Sequence, residues 1–334
     1  MSITVSLPHN DLHVLGRADE REDALAFDWT NSGVFFRFHG KTVRFHFDAP
    51  DLNQQLYVQV RVDNRSHRLC VSSEQTVIEV DATEDGDHRV FCVRNNEVLD
   101  SVPLVLRRIE IDGEQAALLP RPTLPDRRIL FIGDSITCGF GVLTKGLGNG
   151  FKTAEQDGSN TAAALTAAHF GAESHFVCIS GRGIWRNCER YVAPLIPEFT
   201  ELTTISNPAP WDHARFQPHL IVINAGTNDT YGDETDEEKE SFKQAITAFI
   251  RRLQEVYPNA KILWVYGMMT DHLHDSLQEA IDAFESDRVQ YQRMQSVWGF
   301  EDERGAANHP NLRAHHRCAG VLISRVSDMT GWDL

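Results

Sequence analysis

The sequence predicts an α/β protein of two domains, in which a jelly-roll-like β-sandwich precedes a three-layer α/β/α domain built on a parallel sheet. The first 112 residues contain many short stretches of alternating apolar and polar residues and no helical period. Beyond a proline-rich segment, apolar runs alternate with amphipathic helical patterns. We therefore assign residues 1–112 to the sandwich, 113–127 to a linker and 128–334 to the α/β/α domain.

The strands of the first domain are predicted from period-two alternation. Residues 34–38 and 43–47 place apolar side chains two apart, and Gly40 lies between them, which predicts a β-hairpin. Further strands are predicted at short intervals, at residues 56–62, 76–80, 89–93 and 104–111. Many short strands without a helix are typical of a sandwich or jelly roll.

Strands and helices alternate in the second domain. Short apolar runs without helical spacing predict strands buried on both faces, at residues 129–132, 174–179, 220–224 and 261–266, and an edge strand at 288–294. Apolar residues recurring at three and four predict a long helix over 236–257, and shorter helices are predicted at 161–168, 276–284 and 312–326. This alternation indicates a parallel sheet with helices on its faces.

Composition excludes several classes of protein. Hydrophobic residues form 41% and charged residues 24% of the chain, as in an ordinary globular protein. The net charge of −16 argues against nucleic acid or an anionic membrane as partner, because both need a basic face. No apolar run could span a membrane and the amino terminus lacks signal-peptide features, so we expect a cytoplasmic protein. Composition does not predict the oligomeric state.

The cysteines predict neither a disulfide framework nor a metal site. The six residues are scattered along the chain and show no paired metal-binding spacing. Cys138, three residues after Ser135, is a rival nucleophile by position but has no distinctive partner in the sequence, so we interpret it as structural. We therefore expect reduced thiols and no disulfide framework, and we separately expect no metal and no cofactor.

A serine follows the first strand of the second domain. Residues 129–132 run into Gly133-Asp134-Ser135, so Ser135 lies at the carboxyl end of a buried strand. Ligands of open α/β sheets bind at that edge, which makes Ser135 a candidate nucleophile. The same residues would also suit a simple helix cap, and we interpret Asp134 as a brace for the turn.

Two later stretches supply the other groups that acyl transfer needs. The strand at 220–224 runs into Gly226-Thr227-Asn228-Asp229, and His309 precedes Pro310 at the start of the last predicted helix. A serine, an amide and a histidine can serve as nucleophile, oxyanion donor and general base. His315 and His316, in contrast, lie inside that helix.

From about residue 128 to 328 these blocks resemble the SGNH or GDSL-type hydrolases. The leading domain, with Trp29 and the run from Ser32 to Phe38, makes nearly the whole chain similar to carbohydrate esterase family 2. The resemblance implies a serine esterase that removes O-acetyl groups from carbohydrates, at the 6-position of a hexopyranose. Its partner would be an acetylated oligosaccharide or polysaccharide.

The resemblance also implies roles for individual residues. Ser135 would be the nucleophile and His309 the general base. The backbone N–H groups of Ser135 and Gly181 and the side-chain amide of Asn228 would form the oxyanion hole. Gly183, in the same Ser-Gly-Arg-Gly block, is an alternative to Gly181.

The family's third triad member is missing at its usual place. SGNH hydrolases place an Asp three residues before the histidine, where this chain has Ala306. We predict a Ser-His dyad oriented by a backbone carbonyl, with Asp302 as an alternative third member. Tyr231 and Trp298 are the aromatic residues best placed in sequence to stack on a sugar ring.

Two other functions remain open at this point. A metal-dependent sugar deacetylase could use Asp271, His272 and His274, or the His315–His316 pair, although neither group has a recognised zinc spacing. The chain could also be a carbohydrate-binding protein with an inactive hydrolase domain. The presence of Ser135, Asn228 and His309 together argues against the second alternative.

Overall fold

The computed structural model describes residues 1–51, 54–98, 102–146, 150, 152–189 and 194–333. It forms two compact units. The first comprises Met1–Leu124 together with the short segment Thr203–Ala209, and the second comprises Pro125–Leu202 and Pro210–Leu334. The boundary at Leu124 lies inside the predicted linker, whose earlier residues belong to the first unit.

The first unit is built from antiparallel strands. They are β1 (Ser2–Ser6), β2 (His13–Leu15), β3 (Asp19–Arg21), β4 (Ala24–Phe27), β5 (Gly33–Phe47), β6 (Leu56–Val62), β7 (Arg65–Val71), β8 (Val77–Arg94), β9 (Leu104–Asp112) and β10 (Ala117–Leu118). The main sheet has the order β3-β4-β9-β5-β8-β6-β7; in addition, β1 pairs with β9, and β2 and β10 pair with β5. Alternate side chains of β5, β6 and β8 are buried in one apolar core, as the period-two pattern predicts.

The predicted hairpin at Gly40 is wrong. The two runs around this glycine form the single strand β5, and the two runs predicted near residues 76–93 form the single strand β8. The strands pair along nearly their full length, with an irregularity between Gly40 and Thr42. An added Cβ at Gly40 would lie 2.8 Å from the Asp112 carbonyl oxygen, so this glycine permits a close approach of strands and does not form a turn.

The second unit contains a five-stranded parallel sheet. Its strands are β11 (Arg128–Gly133), β12 (Glu173–Cys178), β13 (Leu220–Asn224), β14 (Lys261–Tyr266) and β15 (Val289–Arg293), in the order β12-β11-β13-β14-β15. Phe131 and its alternate neighbour Ile132 are both fully buried, so the sheet is covered on both faces. The predicted fold class, an antiparallel β domain followed by a parallel α/β domain, is confirmed.

Helices flank this sheet. The α-helices are α1 (Ser135–Cys138), α2 (Ala162–His169), α3 (Ile196–Phe199), α4 (Asp236–Val256), α5 (His274–Asp282) and α6 (Leu312–Thr330). Short 3₁₀ turns occur at Thr153–Glu155, Gly158–Asn160, His213–Arg215, Thr227–Asp229, Val297–Gly299, Glu301–Glu303 and Ala306–Asn308. The Thr235 and Glu238 side chains form a capping box that fixes the start of α4. Among the described residues, no helix is long and apolar enough to cross a membrane.

Candidate active site

The carboxyl ends of three parallel strands meet at one edge of the second unit. In the sheet register, Gly133 at the end of β11 lies between Cys178 of β12 and Asn224 of β13. The segments that follow these strands carry Ser135, Gly181 and Asn228. Register therefore brings the three predicted blocks together at the edge where ligands bind in α/β sheets.

The serine turn is tightly built. The Asp134 side chain accepts a hydrogen bond from the Ile136 N–H at 3.0 Å, so it caps α1. An added Cβ at Gly133 would lie 2.2 Å from Thr137 Oγ1 and 2.7 Å from the Asn224 carbonyl oxygen. Only glycine fits there, and the resulting sharp turn holds Ser135 as the first residue of α1.

His309 contacts the serine directly. Its Nε2 lies 2.8 Å from Ser135 Oγ, and its Nδ1 lies 3.1 Å from the Ala306 carbonyl oxygen. That carbonyl also accepts the His309 backbone N–H at 3.0 Å. Because a carbonyl can only accept, Nδ1 carries the proton and Nε2 is free to accept the serine hydroxyl.

An unusual turn aims the Ala306 carbonyl. Ala307 and Asn308 both have positive φ angles, 49° and 61°, which are uncommon for residues other than glycine. The hydrogen bond from the Gly305 N–H to the His309 carbonyl, 2.7 Å long, closes the loop around them. The strained pair thus directs a backbone oxygen toward the imidazole, as an orienting carboxylate would do.

The imidazole lies in an apolar environment. Its ring centroid is 4.1 Å from that of Phe140, a residue that sequence analysis did not single out. Burial lowers the pKa of His309 to about 4, against hydrogen bonds from the ring to the backbone at Ala306 and Ala307, which raise it. The histidine is therefore neutral near neutral pH, the state that a general base requires. The position of Phe140 shortly after the serine turn was the only feature of the sequence that pointed to this residue as a neighbour of the His309 ring.

The structure distinguishes the two candidate glycines. The Gly183 N–H donates to the Asn187 side-chain oxygen at 3.0 Å. Within the described part of the chain, the N–H groups of Gly181 and Ser135 have no hydrogen-bond acceptor. Gly181 also has a φ of +77°, a conformation that favours glycine. The free N–H of Gly181 is thus the one available to an oxyanion.

Asn228 joins the serine turn to the glycine-rich turn. Its buried side-chain amide donates to the Arg182 carbonyl at 2.9 Å and to Asp134 Oδ2 at 3.2 Å. The second of these hydrogen bonds joins Asn228 to Asp134, the residue directly before Ser135. The predicted oxyanion donors therefore occupy three neighbouring segments at one sheet edge.

Asp302 does not contact the imidazole. Its carboxylate pairs with the Arg313 guanidinium at 2.6 Å, and both side chains are exposed. In each group considered for a metal site, one histidine has another partner: His274 Nδ1 bonds the Tyr291 hydroxyl at 2.9 Å, and His315 Nδ1 accepts the Ala162 N–H at 3.1 Å. In the described ranges, no three His, Cys, Asp or Glu side chains converge into a metal-binding group.

The two predicted sugar-stacking residues differ in environment. The Tyr231 hydroxyl donates to the Asn187 and Cys188 carbonyls, both at 3.0 Å, and the Arg186 guanidinium lies 4.4 Å from its ring centroid. Trp298 is 56% exposed, and its indole N–H is anchored on the Met269 carbonyl at 2.7 Å. Tyr231 is 39% exposed, so Trp298 is the more exposed of the two, although the Arg304 guanidinium lies 5.0 Å from the Trp298 ring centroid.

Comparison with known proteins places the chain in a family. Residues 131–315 match the GDSL-like lipase/acylhydrolase family, and residues 14–122 match the carbohydrate esterase 2 N-terminal domain. The chain is 27% identical over 342 residues to an acetylxylan esterase / glucomannan deacetylase of Cellvibrio japonicus (strain Ueda107), a match that covers 99% of this chain and 92% of that protein.

Two solved structures share the fold. A family two carbohydrate esterase from Cellvibrio japonicus matches with a TM-score of 0.87 at 24% identity, over 99% of both chains. A family two carbohydrate esterase from Clostridium thermocellum, in complex with cellohexaose, matches with a TM-score of 0.86 at 24% identity, over 96% of this chain and 100% of that one. The match to the GDSL-like lipase/acylhydrolase family covers more than half of the sequence, and together with the shared fold it confirms the predicted family. The chain belongs to the GDSL-like lipase/acylhydrolase family and is a carboxylic ester hydrolase that carries a carbohydrate esterase 2 N-terminal domain.

Proposed function

We propose that this protein removes O-acetyl groups from carbohydrates through an acyl-enzyme formed on Ser135. The observation that carries the proposal is the 2.8 Å contact between Ser135 Oγ and His309 Nε2, beside free backbone N–H groups at the same sheet edge. The similar Cellvibrio protein, named an acetylxylan esterase / glucomannan deacetylase, supports an acetylated polysaccharide or oligosaccharide as substrate. The preference for the 6-position rests on the resemblance to carbohydrate esterase family 2.

The proposed reaction passes through two tetrahedral intermediates. Ser135 Oγ attacks the acetyl carbonyl carbon as its proton passes to His309 Nε2. The bond between the acyl carbon and the sugar oxygen then breaks, and the sugar leaves as a hydroxyl after taking the proton from His309. Water, deprotonated by the same imidazole, attacks the acetyl-serine, and Ser135 leaves with the returned proton, which releases acetic acid.

Negative charge develops on the carbonyl oxygen in both steps. The N–H groups of Ser135 and Gly181 are the proposed donors, with the Asn228 amide as the third. The Asn228 amide now donates to Asp134 at 3.2 Å and to the Arg182 carbonyl. It can donate to the oxyanion in place of Asp134 and keep its hydrogen bond to the Arg182 carbonyl. The two backbone donors are fixed in advance and need no reorganisation when the charge appears.

A dyad is the proposed catalytic pair, with the Ala306 carbonyl in the orienting role. We expect Asp302→Asn to keep kcat within about threefold of wild type, because the Asp302 carboxylate pairs with Arg313 at the surface and surface ion pairs contribute little. Steady-state kinetics with an acetylated sugar test this. A decrease of orders of magnitude would assign Asp302 to the catalytic group.

The low pKa of His309 gives a direct test of its environment. Burial lowers this pKa from the ordinary value of 6.5 to about 4, so the ring gains its proton only as the pH falls through about 4. We expect the His309 ring resonance, assigned by its loss in His309→Ala, to titrate near that pH in an NMR experiment. A transition near 6.5 would show that the ring is solvated and would contradict the proposed site.

The proposed function is tested by acetate release from a set of mono-acetylated hexoses. Wild type is compared with Ser135→Ala, each with and without a chelator. Serine-dependent, chelator-resistant release with preference for the 6-acetate supports the proposal. Release that survives Ser135→Ala and is lost with the chelator supports the metal-dependent deacetylase. Sugar binding without release from any ester supports the carbohydrate-binding alternative.

A further inference from the structure

The turn that carries Gly181 is closed at both ends by its own residues. The Cys188 N–H donates to the Gly181 carbonyl at 3.0 Å, and the Gly183 N–H donates to the Asn187 side chain at 3.0 Å. These bonds leave the N–H groups in the middle of the turn without acceptors inside it. Something outside the turn has to satisfy them, and that group also decides where Gly181 lies.

A single carboxylate does so. Asp229 Oδ1 accepts the N–H groups of Ile184 at 3.0 Å, Trp185 at 2.7 Å and Arg186 at 3.1 Å, and Oδ2 lies 3.1 Å from the Ile184 nitrogen. The Asp229 side chain is fully buried. Three successive backbone N–H groups around one anion form a nest, in which each hydrogen bond is strengthened by the charge.

Gly183 is explained by this contact. An added Cβ at Gly183 would lie 2.6 Å from Asp229 Oδ2 and 2.0 Å from the Arg186 carbonyl oxygen. The glycine therefore allows the carboxylate to approach the backbone of the turn closely. The two glycines of the Ser-Gly-Arg-Gly block have separate tasks: one leaves its N–H free, and the other makes room for Asp229.

The backbone of Asp229 is also fixed to the turn. The Arg186 Nε–H donates to the Asp229 carbonyl at 2.8 Å. The same guanidinium pairs with Glu234 at 2.6 Å and Glu238 at 3.0 Å. The neighbouring Asn228 amide donates to the Arg182 carbonyl at 2.9 Å, so the turn and the segment of Asn228 hold each other at several points.

We infer that Asp229 is a positioning residue for the oxyanion hole. Through the turn from Gly181 to Cys188, its carboxylate holds the Gly181 N–H and the Asn228 amide in place. The inference rests on the proposed esterase function, and Asp229 itself touches no reacting atom in it. Burial raises the pKa of Asp229 to about 6, against the N–H donors and Arg186, which lower it. The carboxylate is accordingly ionised at neutral pH.

The first test is a double-mutant cycle with 4-nitrophenyl acetate as probe at neutral pH. Asp229→Asn keeps the shape of the side chain but removes its charge and turns one acceptor into a donor. We expect kcat to fall by about 10- to 100-fold with KM within about twofold, because only transition-state stabilisation is lost. Asn228→Ala should lower kcat by about 10²- to 10³-fold as one lost oxyanion donor.

The double variant separates positioning from general stability. If Asp229 acts through the oxyanion donors, the double variant should lose less than the product of the two single losses. Multiplicative losses, or an Asp229→Asn kcat within about twofold of wild type, would overturn the inference. Asp28→Asn is the matched control, because Asp28 is a fully buried carboxylate of the first unit that accepts the Ser206 N–H at 2.6 Å. We expect it to leave kcat unchanged.

Hydrogen exchange tests the geometry without turnover. The N–H groups of Ile184, Trp185 and Arg186 should be protected in wild type and exchange at least tenfold faster in Asp229→Asn. Equal exchange in the two proteins would overturn the inference, whether or not the wild type hydrolyses esters. A wild type that hydrolyses no ester would refute only the proposed function. If Asp229→Asn does not fold, Arg186→Lys is used instead, because it removes the hydrogen bond to the Asp229 carbonyl. We expect Arg186→Lys to lower kcat severalfold. The double variant Arg186→Lys/Asn228→Ala should again lose less kcat than the product of the two single losses.

Discussion

Replacing Ser135 by Ala should lower kcat for ester hydrolysis by on the order of 10⁴-fold or more, because the atom that forms the acyl-enzyme is removed. Residual turnover would come from the oxyanion donors, which the substitution leaves in place. The expected fold is unchanged, since Asp134 still caps α1 and the N–H of residue 135 is retained. Acetate release, with thermal unfolding measured in parallel, checks this result.

A buried serine elsewhere in the same unit provides the control for this substitution. Ser276 lies on the buried face of α5, and Ser276→Ala should retain wild-type kcat. Trapping of the acetyl group on a peptide containing Ser135, seen by mass spectrometry in wild type and absent in Ser135→Ala, identifies the nucleophile. Acetylation of Cys138 instead would refute the proposed role of the serine.

The second large effect is expected for His309→Ala, with kcat lowered to nearly the same extent as in Ser135→Ala. Without the imidazole, the serine hydroxyl keeps its proton and the departing sugar oxygen receives none. Groups that act as one unit show strongly non-additive losses, so the double variant Ser135→Ala/His309→Ala should be no slower than the slower single variant. Single-turnover and steady-state kinetics of the three proteins measure this.

His316 offers a matched control, since it is an exposed histidine on α6. His316→Ala should leave kcat unchanged, whereas a loss comparable to that of His309→Ala would point to general damage of this part of the fold. A His309→Ala enzyme with near-normal turnover would refute the general-base role. The expected result also depends on the Ala306 carbonyl, which keeps the ring in the tautomer that can accept the serine proton.

Ser135 and Asn228 were predictable as candidate site residues because each follows a buried strand, and the order of the blocks along the chain resembles that of a known family. The apolar runs at β11 and β13 contain no polar side chain before the strand ends, so Ser135 and Asn228 had to emerge at a sheet edge. Parallel strands share that edge, and the register of Gly133 with Asn224 brings the two segments together. His309 was predicted from its position before α6, which Asn311 caps, together with the resemblance to the family's histidine block.

The wrong hairpin at Gly40 and the unforeseen placement of Thr203–Ala209 have a common physical origin, because both depend on contacts between residues far apart in sequence. Period-two alternation reads the same whether a strand ends at Gly40 or continues past it, and only pairing with β8 shows that β5 is continuous. The segment Thr203–Ala209 belongs to the first unit, where the Thr203 carbonyl accepts the Trp29 indole N–H at 2.7 Å. No local pattern indicates that contact, because it joins residues 174 positions apart.

The sequence by itself determined the two folding patterns and predicted Ser135 and His309 as candidate nucleophile and general base, because buried strands, turn residues and the polar groups after them are local features. Only the tertiary structure showed which carbonyl contacts the His309 ring, which of two glycines has a free N–H among the described residues, and which N–H groups the Asp229 carboxylate accepts. Those three answers depend on backbone groups. Every residue carries the same carbonyl and every residue except proline the same N–H, so only folding shows which ones meet a side chain.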